Sequence, residues 1–136
     1  KKSQGPALAR VALALEPSQA NSGPGADRGA GAAFFLSCLK AHVEPNQVAD
    51  LSQLRAVGST GSPLPPEGYQ WIYDHVRSDV WLNPISGGTD FAGCFVGGVI
   101  TLPVYLGEMQ CRCLGARVEA FDDAGRPLID EVGELV

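Results

Sequence analysis

The sequence predicts an α/β chain that turns into antiparallel β after Phe91, and three features carry that expectation. Two short apolar runs, 54–57 and 80–82, each stop at a loop of small residues. An amphipathic helix lies between them, which gives the strand–helix–strand order of a partial parallel β-α-β unit. Beyond Phe91 the helical period disappears, and short strand-like runs alternate with turn residues, as in a barrel-like antiparallel unit.

Residues 1–31 differ in composition from the rest. Residues 7–15 have room for two helical turns, but 17–31 are rich in Gly, Ala, Ser and Pro and read as a linker. Gly23, Gly25 and Gly29 are spaced loosely like a phosphate-binding loop. They follow no good strand, however, and lack a Gly-Lys-Ser/Thr ending. The folded unit is therefore expected over 32–136, with 1–31 set apart.

Within that unit the first helix is expected over 33–42, stopped by Glu44-Pro45 because proline cannot continue a helix. The first strand follows at 54–57 and breaks at Gly58. Pro66 suits the first position of the next helix and Glu67 its positive end. Tyr69, Ile72, Tyr73 and Val76 then share one face at i, i+3, i+4 and i+7. A second strand at 80–82 runs into the glycine-rich loop 83–90. Further strands are expected at 99–105, 107–114, 116–121, 127–129 and 133–136, with Asp122 to Arg126 as a hairpin turn.

Bulk properties narrow the function. The chain has 136 residues, 45% hydrophobic and 18% charged, which suits one soluble globular domain. Its net charge of −5, from 15 acidic and 10 basic residues, argues against nucleic acid as a partner. No apolar run approaches the roughly 18–20 residues that cross a bilayer, so no membrane role is expected. Cys38, Cys94, Cys111 and Cys113 have no metal-binding spacing to one another or to His42 and His75. They read as reduced thiols in a cytoplasmic protein. His75 falls on the polar side of its helix and is expected to face solvent.

The two small-residue loops are the candidates for chemistry, since parallel sheets bind ligands beyond the C-terminal ends of their strands. In the second loop, Gly87 and Gly88 let backbone amides approach an anion, Thr89 adds a hydroxyl and Asp90 a carboxylate able to hold magnesium. The same residues also suit a plain tight turn. The first loop, 58–63, has no charged side chain; it can cap the following helix or lie flat against a purine ring.

In combination the loops resemble a known family. The run from Leu54 through Gly58-Ser59-Thr60-Gly61-Ser62-Pro63-Leu64 to Pro66-Glu67-Gly68 is similar to acetoacetyl-CoA synthetases. So are Ser78-Asp79-Val80-Trp81-Leu82, Ile85-Ser86-Gly87-Gly88-Thr89-Asp90, Leu102-Pro103-Val104-Tyr105, Gly107-Glu108-Met109-Gln110-Cys111, Leu114-Gly115, Gly125-Arg126-Pro127 and Gly133-Glu134-Leu135. The resemblance runs over about 34–136 and places the chain among adenylate-forming enzymes, within their large AMP-binding domain. It implies that Gly61, Ser62 and Pro63 lie along adenine. Ser86, Gly87, Gly88 and Thr89 would meet the nucleotide phosphate, and Asp90 would help hold Mg2+, with Thr89 and Asp90 as the catalytic pair. Asp90 stands where Glu is commoner, and Gly87 stands where many relatives have an aromatic, which would open an acyl pocket beside Gly87 and Val96. The implied partners are ATP or AMP, CoA and a small carboxylic acid, with acetoacetate the expected one.

Other parts of the family pattern have no counterpart here: the Ser/Thr/Gly-rich loop ending in Lys, the acidic residue that binds ribose, and the C-terminal domain with its lysine. The chain is accordingly expected to be an internal fragment, inactive alone, with a homodimer formed through surfaces meant for absent parts. The competing expectation is a non-catalytic binding or oligomeric interaction module that reuses the same core.

Overall fold

The computed structural model describes residues 26–136, so the expected helix at 7–15, most of the expected linker, and Gly23 and Gly25 lie outside the described residues. Three parallel strands, β1 (Ala26–Gly31), β2 (Leu54–Thr60) and β3 (Trp81–Pro84), form a sheet in that order. Helix α1 (Ala32–Lys40) connects the first pair of strands and α2 (Pro66–His75) the second. The expected β-α-β unit is thus present and has one more strand than the sequence reading gave it. Residues 26–31 were expected to be linker, but they pair with β2 along its length, from Ala26–Leu54 to Gly31–Thr60. The same pairing extends β2 through Thr60 instead of ending it at Val57.

The core lies between this sheet and the two helices. Leu54, Val57 and Leu82 from the strands are fully buried, as are Phe35 from α1 and Ile72 from α2. Removing a side chain of this size from water is worth about 1.5–3 kcal/mol, so this cluster dominates the stability of the α/β half. Phe35 makes a tilted contact with Trp71, ring centres 6.3 Å apart. Trp71 also donates its indole N–H to the carbonyl of Val43 at 3.2 Å, which satisfies its one polar atom.

Helix α1 ends two residues before the expected His42. His42 adopts a left-handed conformation, φ 51°. Its N–H donates to Leu39 O, while that of Val43 reaches back to Cys38 O, each at 3.0 Å. This pair of bonds is a Schellman cap, and it ends the helix before Pro45 is reached. Helix α2 starts at Pro66 as expected and buries Tyr69, Trp71 and Ile72, with Val76 buried just beyond its end. His75 is half-buried: its Nδ1 lies 3.5 Å from Glu44 Oε1 and its ring 6.3 Å from that of Trp71. Past the helix, the Arg77 guanidinium donates to the carbonyls of Leu51, Ser52 and Leu54 and pairs with Asp79, so it fastens the chain entering β2. That guanidinium holds the Asp79 carboxyl below the usual carboxylate range.

The second half is antiparallel, in two small sheets. Strands β4 (Ser86–Gly88), β5 (Gly93–Gly97) and β6 (Cys111–Arg112) form one. Strands β7 (Ala120–Phe121), β8 (Pro127–Leu128) and β9 (Glu134–Leu135) form the other, in the order β8-β7-β9. The hairpin turn expected at Asp122 to Arg126 is present: Gly125 is left-handed at φ 74°, Asp122 N–H donates to Arg126 O, and Arg126 N–H donates to the Asp122 carboxylate. Hydrogen bonds from the Arg126 backbone and side chain hold the Asp122 carboxyl below its usual range.

The strands expected at 99–105 and 107–114 are a correction. Residues 98–110 are turns and irregular chain, followed by the two-residue β6. Gln110 explains why an apolar segment can stay irregular. Its side-chain amide donates to the carbonyls of Val99, Leu102 and Pro103 and accepts from Val99 N–H and the Trp81 indole. One side chain thereby replaces a strand partner. Strand β5, which the sequence reading passed over, takes the place of the expected strand at 99–105.

Candidate functional site

The C-terminal ends of β2 and β3 open into a cleft of about 320 Å³. Its walls include Ser59 to Leu64 on one side, Pro84 to Gly87 on the other, and Tyr69, Gly107 and Met109. The backbone builds it directly. Strand β2 leaves the sheet at Gly61, whose φ of 83° is open to glycine at no steric cost. Across from it, Ile85 N–H donates to Ser59 O at 2.8 Å, which continues the β2–β3 pairing past Pro84 and delivers Ser86 and Gly87 to the rim.

A third segment closes the cleft. The phenol of Tyr69 donates to Glu108 O at 2.7 Å and so holds Gly107 and Met109 against the opening. Burial, with Tyr73 and Glu108 nearby, pushes that phenol above its ordinary pKa, so it remains a donor at neutral pH. Gln110, through the bonds described above, fixes the rest of this segment.

The site residues read from the sequence divide into two groups. Gly61, Ser62, Pro63, Ser86 and Gly87 meet around this one cleft. Gly88, Thr89, Asp90 and Val96 lie outside its lining. Thr89 and Asp90 are exposed at the tip of the β4–β5 hairpin, where Ala92 N–H donates to Thr89 O at 3.1 Å and Ala92 is left-handed at φ 54°. The backbone there forms the tight turn that the residue types also allowed. Val96 pairs with Ser86 and Arg112 within the small sheet.

Gly87 also has a packing role. A Cβ placed there would collide with the carbonyl oxygen of Gly93 and sit 2.8 Å from Cys94 Cα. The missing side chain therefore makes room for the neighbouring strand β5.

Ser59, Tyr69, Gly107 and Met109 are cleft residues that the sequence reading did not single out. Ser59 falls two residues after Val57 on the buried face of β2, where a polar residue is out of pattern, but this is a signal only once the strand is known to run past Gly58. Gly107 and Met109 carry no such signal, because they arrive from 38 or more positions along the chain from Tyr69.

The fit to a magnesium ion can be judged from the donors. Among the described residues no group of three His, Cys, Asp or Glu side chains is placed to hold a metal. A magnesium ion bound with nucleotide needs only one or two carboxylates, the rest of its shell being phosphate oxygens and water. The exposed Asp90 at the hairpin tip fits that sparse requirement. The four cysteines are free thiols, Cys38 buried and the others half-buried, and burial pushes the Cys38 thiol up. No helix among the described residues is long and apolar enough to cross a membrane.

No protein-family model matches the chain. Individual proteins do. An acetoacetyl-CoA synthetase of Gallus gallus is 44% identical over 108 residues, which is 79% of this chain and 16% of that protein. The structure of an acetoacetyl-CoA synthetase from Streptomyces lividans superposes with a TM-score of 0.72 at 46% identity, over 80% of this chain and 17% of that one. An anthranilate CoA ligase solved with anthranoyl-AMP gives a TM-score of 0.68 at 18% identity, over 80% of this chain and 20% of that one, which shows the fold alone. The chain resembles an internal segment of acetoacetyl-CoA synthetases and spans about a sixth of their length. Its mixed parallel and antiparallel sheets match part of the adenylate-forming enzyme fold.

Proposed function

We propose that this segment of an acyl-CoA ligase supplies one side of the nucleotide site that activates a short carboxylic acid, acetoacetate in the first instance. The observation that carries the reading is the cleft, which sets Gly61-Ser62-Pro63 and Ser86-Gly87 opposite one another at the strand ends. The resemblance to acetoacetyl-CoA synthetases supports the choice of reaction and acid. In this reading 26–136, with β1 included in the sheet, is part of the AMP-binding domain.

In the reaction a carboxylate oxygen attacks the α-phosphorus of ATP and pyrophosphate leaves. The sulfur of CoA then attacks the acyl carbon of the adenylate and AMP leaves. The residues here act by positioning and by charge stabilisation. Gly61, Ser62 and Pro63 offer a flat backbone surface to the adenine. Ser86, Gly87 and Gly88 bring backbone N–H groups to the phosphate, and Thr89 adds its hydroxyl. Asp90 would hold Mg2+, which offsets phosphate charge when bound. The grip on pyrophosphate, the ribose contact and the second half-reaction call on family features with no counterpart in this sequence, so the chain by itself is proposed to bind without turning over. A cytoplasmic location accords with the free thiols.

The test is calorimetric titration of the chain with AMP and a non-hydrolysable acyl-adenylate, with and without magnesium. Saturable binding is expected, weakened about ten- to a hundredfold by Thr89→Ala, the size of one charge-assisted hydrogen bond. Asp90→Ala should abolish the magnesium dependence and leave binding without magnesium intact. Absence of heat at millimolar ligand from a folded chain would refute the reading. A second reading, a homodimeric interaction module, draws on the exposed apolar side chains of Ile100, Leu114, Ile129 and Val132. Light scattering distinguishes it, since a monodisperse monomer excludes the dimer.

A further inference from the structure

Ser59 combines three properties that do not usually occur together. It is 2% exposed, its Oγ is buried without a hydrogen-bond partner, and the residue forms part of the cleft wall. Its position is fixed by the sheet. Ser59 pairs with Ala30 on one side and Pro84 on the other, and its carbonyl accepts the Ile85 N–H. An unpaired buried hydroxyl costs about 1–3 kcal/mol, and alanine at this position would avoid that cost.

The cleft has other hydroxyls, but they differ in kind. The Tyr69 phenol is already committed to Glu108 O, while Thr60 and Ser62 are exposed to water and Ser86 is half-exposed at the rim. A phosphate is a poor match for Ser59, because a single neutral donor in a water-excluded wall cannot offset an anion. A neutral acceptor, such as a carbonyl oxygen, is a good match. Ser59 also adjoins Ile85, whose N–H its carbonyl accepts, two residues from Gly87 on the opposite rim.

We infer that the Ser59 hydroxyl is a specificity determinant, donating a hydrogen bond to the keto oxygen of a short 3-oxo acid held in this cleft. The inference rests on the proposed function and adds to it the residue that recognises the oxo group. A buried donor of this kind favours an acid that carries the oxo group over its hydrocarbon analogue, which would leave the donor unpaired. The adenine ring is the other source of neutral acceptors, and the experiment separates the two.

Three ligands are titrated into the full chain and into Ser59→Ala: AMP, and the acetoacetyl and butyryl forms of a non-hydrolysable adenylate. The parent chain should bind the acetoacetyl form about tenfold more tightly than the butyryl form, the size of one neutral hydrogen bond. Ser59→Ala should bind the two equally and leave AMP affinity unchanged. The unliganded variant should melt at the same temperature or a few degrees higher, because it sheds an unpaired polar group. Equal affinities in the parent chain overturn the inference while leaving the proposed function standing. So does a matching loss for AMP, which would assign the hydroxyl to the base, or a lower melting temperature, which would give it a structural partner. Failure of all three ligands to bind overturns both.

Discussion

Phe35→Ala should remove about 3–5 kcal/mol of unfolding free energy, the usual cost of emptying an aromatic site in a close-packed core. Phe35 is fully buried and packs on the Phe34 and Trp71 rings, so it joins α1 to α2 over the parallel sheet. Domains of this size are stable by only about 5–15 kcal/mol, so the loss is a large share of the whole. The measurement is a urea titration followed by tryptophan fluorescence, since Trp71 reports directly on the site. A midpoint within error of the parent chain would mean that the α1–α2 contact is not the centre of the core.

Gly87→Val is expected to act on the site and spare the fold. The added Cβ would collide with the Gly93 carbonyl oxygen, so β4 must move away from β5, and the rim of the cleft moves with it. Overpacking of this sort costs about 1–3 kcal/mol locally. The main core lies elsewhere, between the β1–β3 sheet and the two helices. The variant should therefore keep the circular dichroism spectrum of the parent and lose AMP binding by tenfold or more. Unchanged AMP affinity would show that the position of β4 does not shape the site. Loss of the folded spectrum would show that the hairpin supports the core.

What the sequence made legible follows from how local each signal is. Helix α2 was readable because Pro66, Glu67 and the apolar spacing of Tyr69, Ile72 and Val76 all lie within one short segment. The Asp122–Arg126 turn was readable for the same reason. Strand β1 was not, since Ala-Asp-Arg-Gly-Ala-Gly has little strand propensity and is extended by its parallel pairing with β2, which is remote in sequence. The apolar run around Leu102 to Tyr105 suggested a strand, but a single glutamine satisfies its carbonyls and leaves it irregular.

The site was legible to the same degree. Its two loops follow strands whose apolar runs are visible in the sequence, and the resemblance to a known family connected them. The wall made by Gly107 and Met109 depends on the bond from Tyr69 to Glu108, a tertiary contact with no local signature. Ser59 could be recognised only once β2 was known to reach Thr60, because a serine in a loop needs no partner and a serine on a buried strand face does.

Amide chemical shifts of the labelled chain, followed as AMP is added, test the central claim most directly. Saturable shifts confined to Gly61, Ser62, Ser86, Gly87 and their neighbours are the predicted result, because these are the backbone N–H groups that the cleft brings together. Shifts centred instead on the β7–β9 sheet, or none at millimolar AMP, would contradict the account.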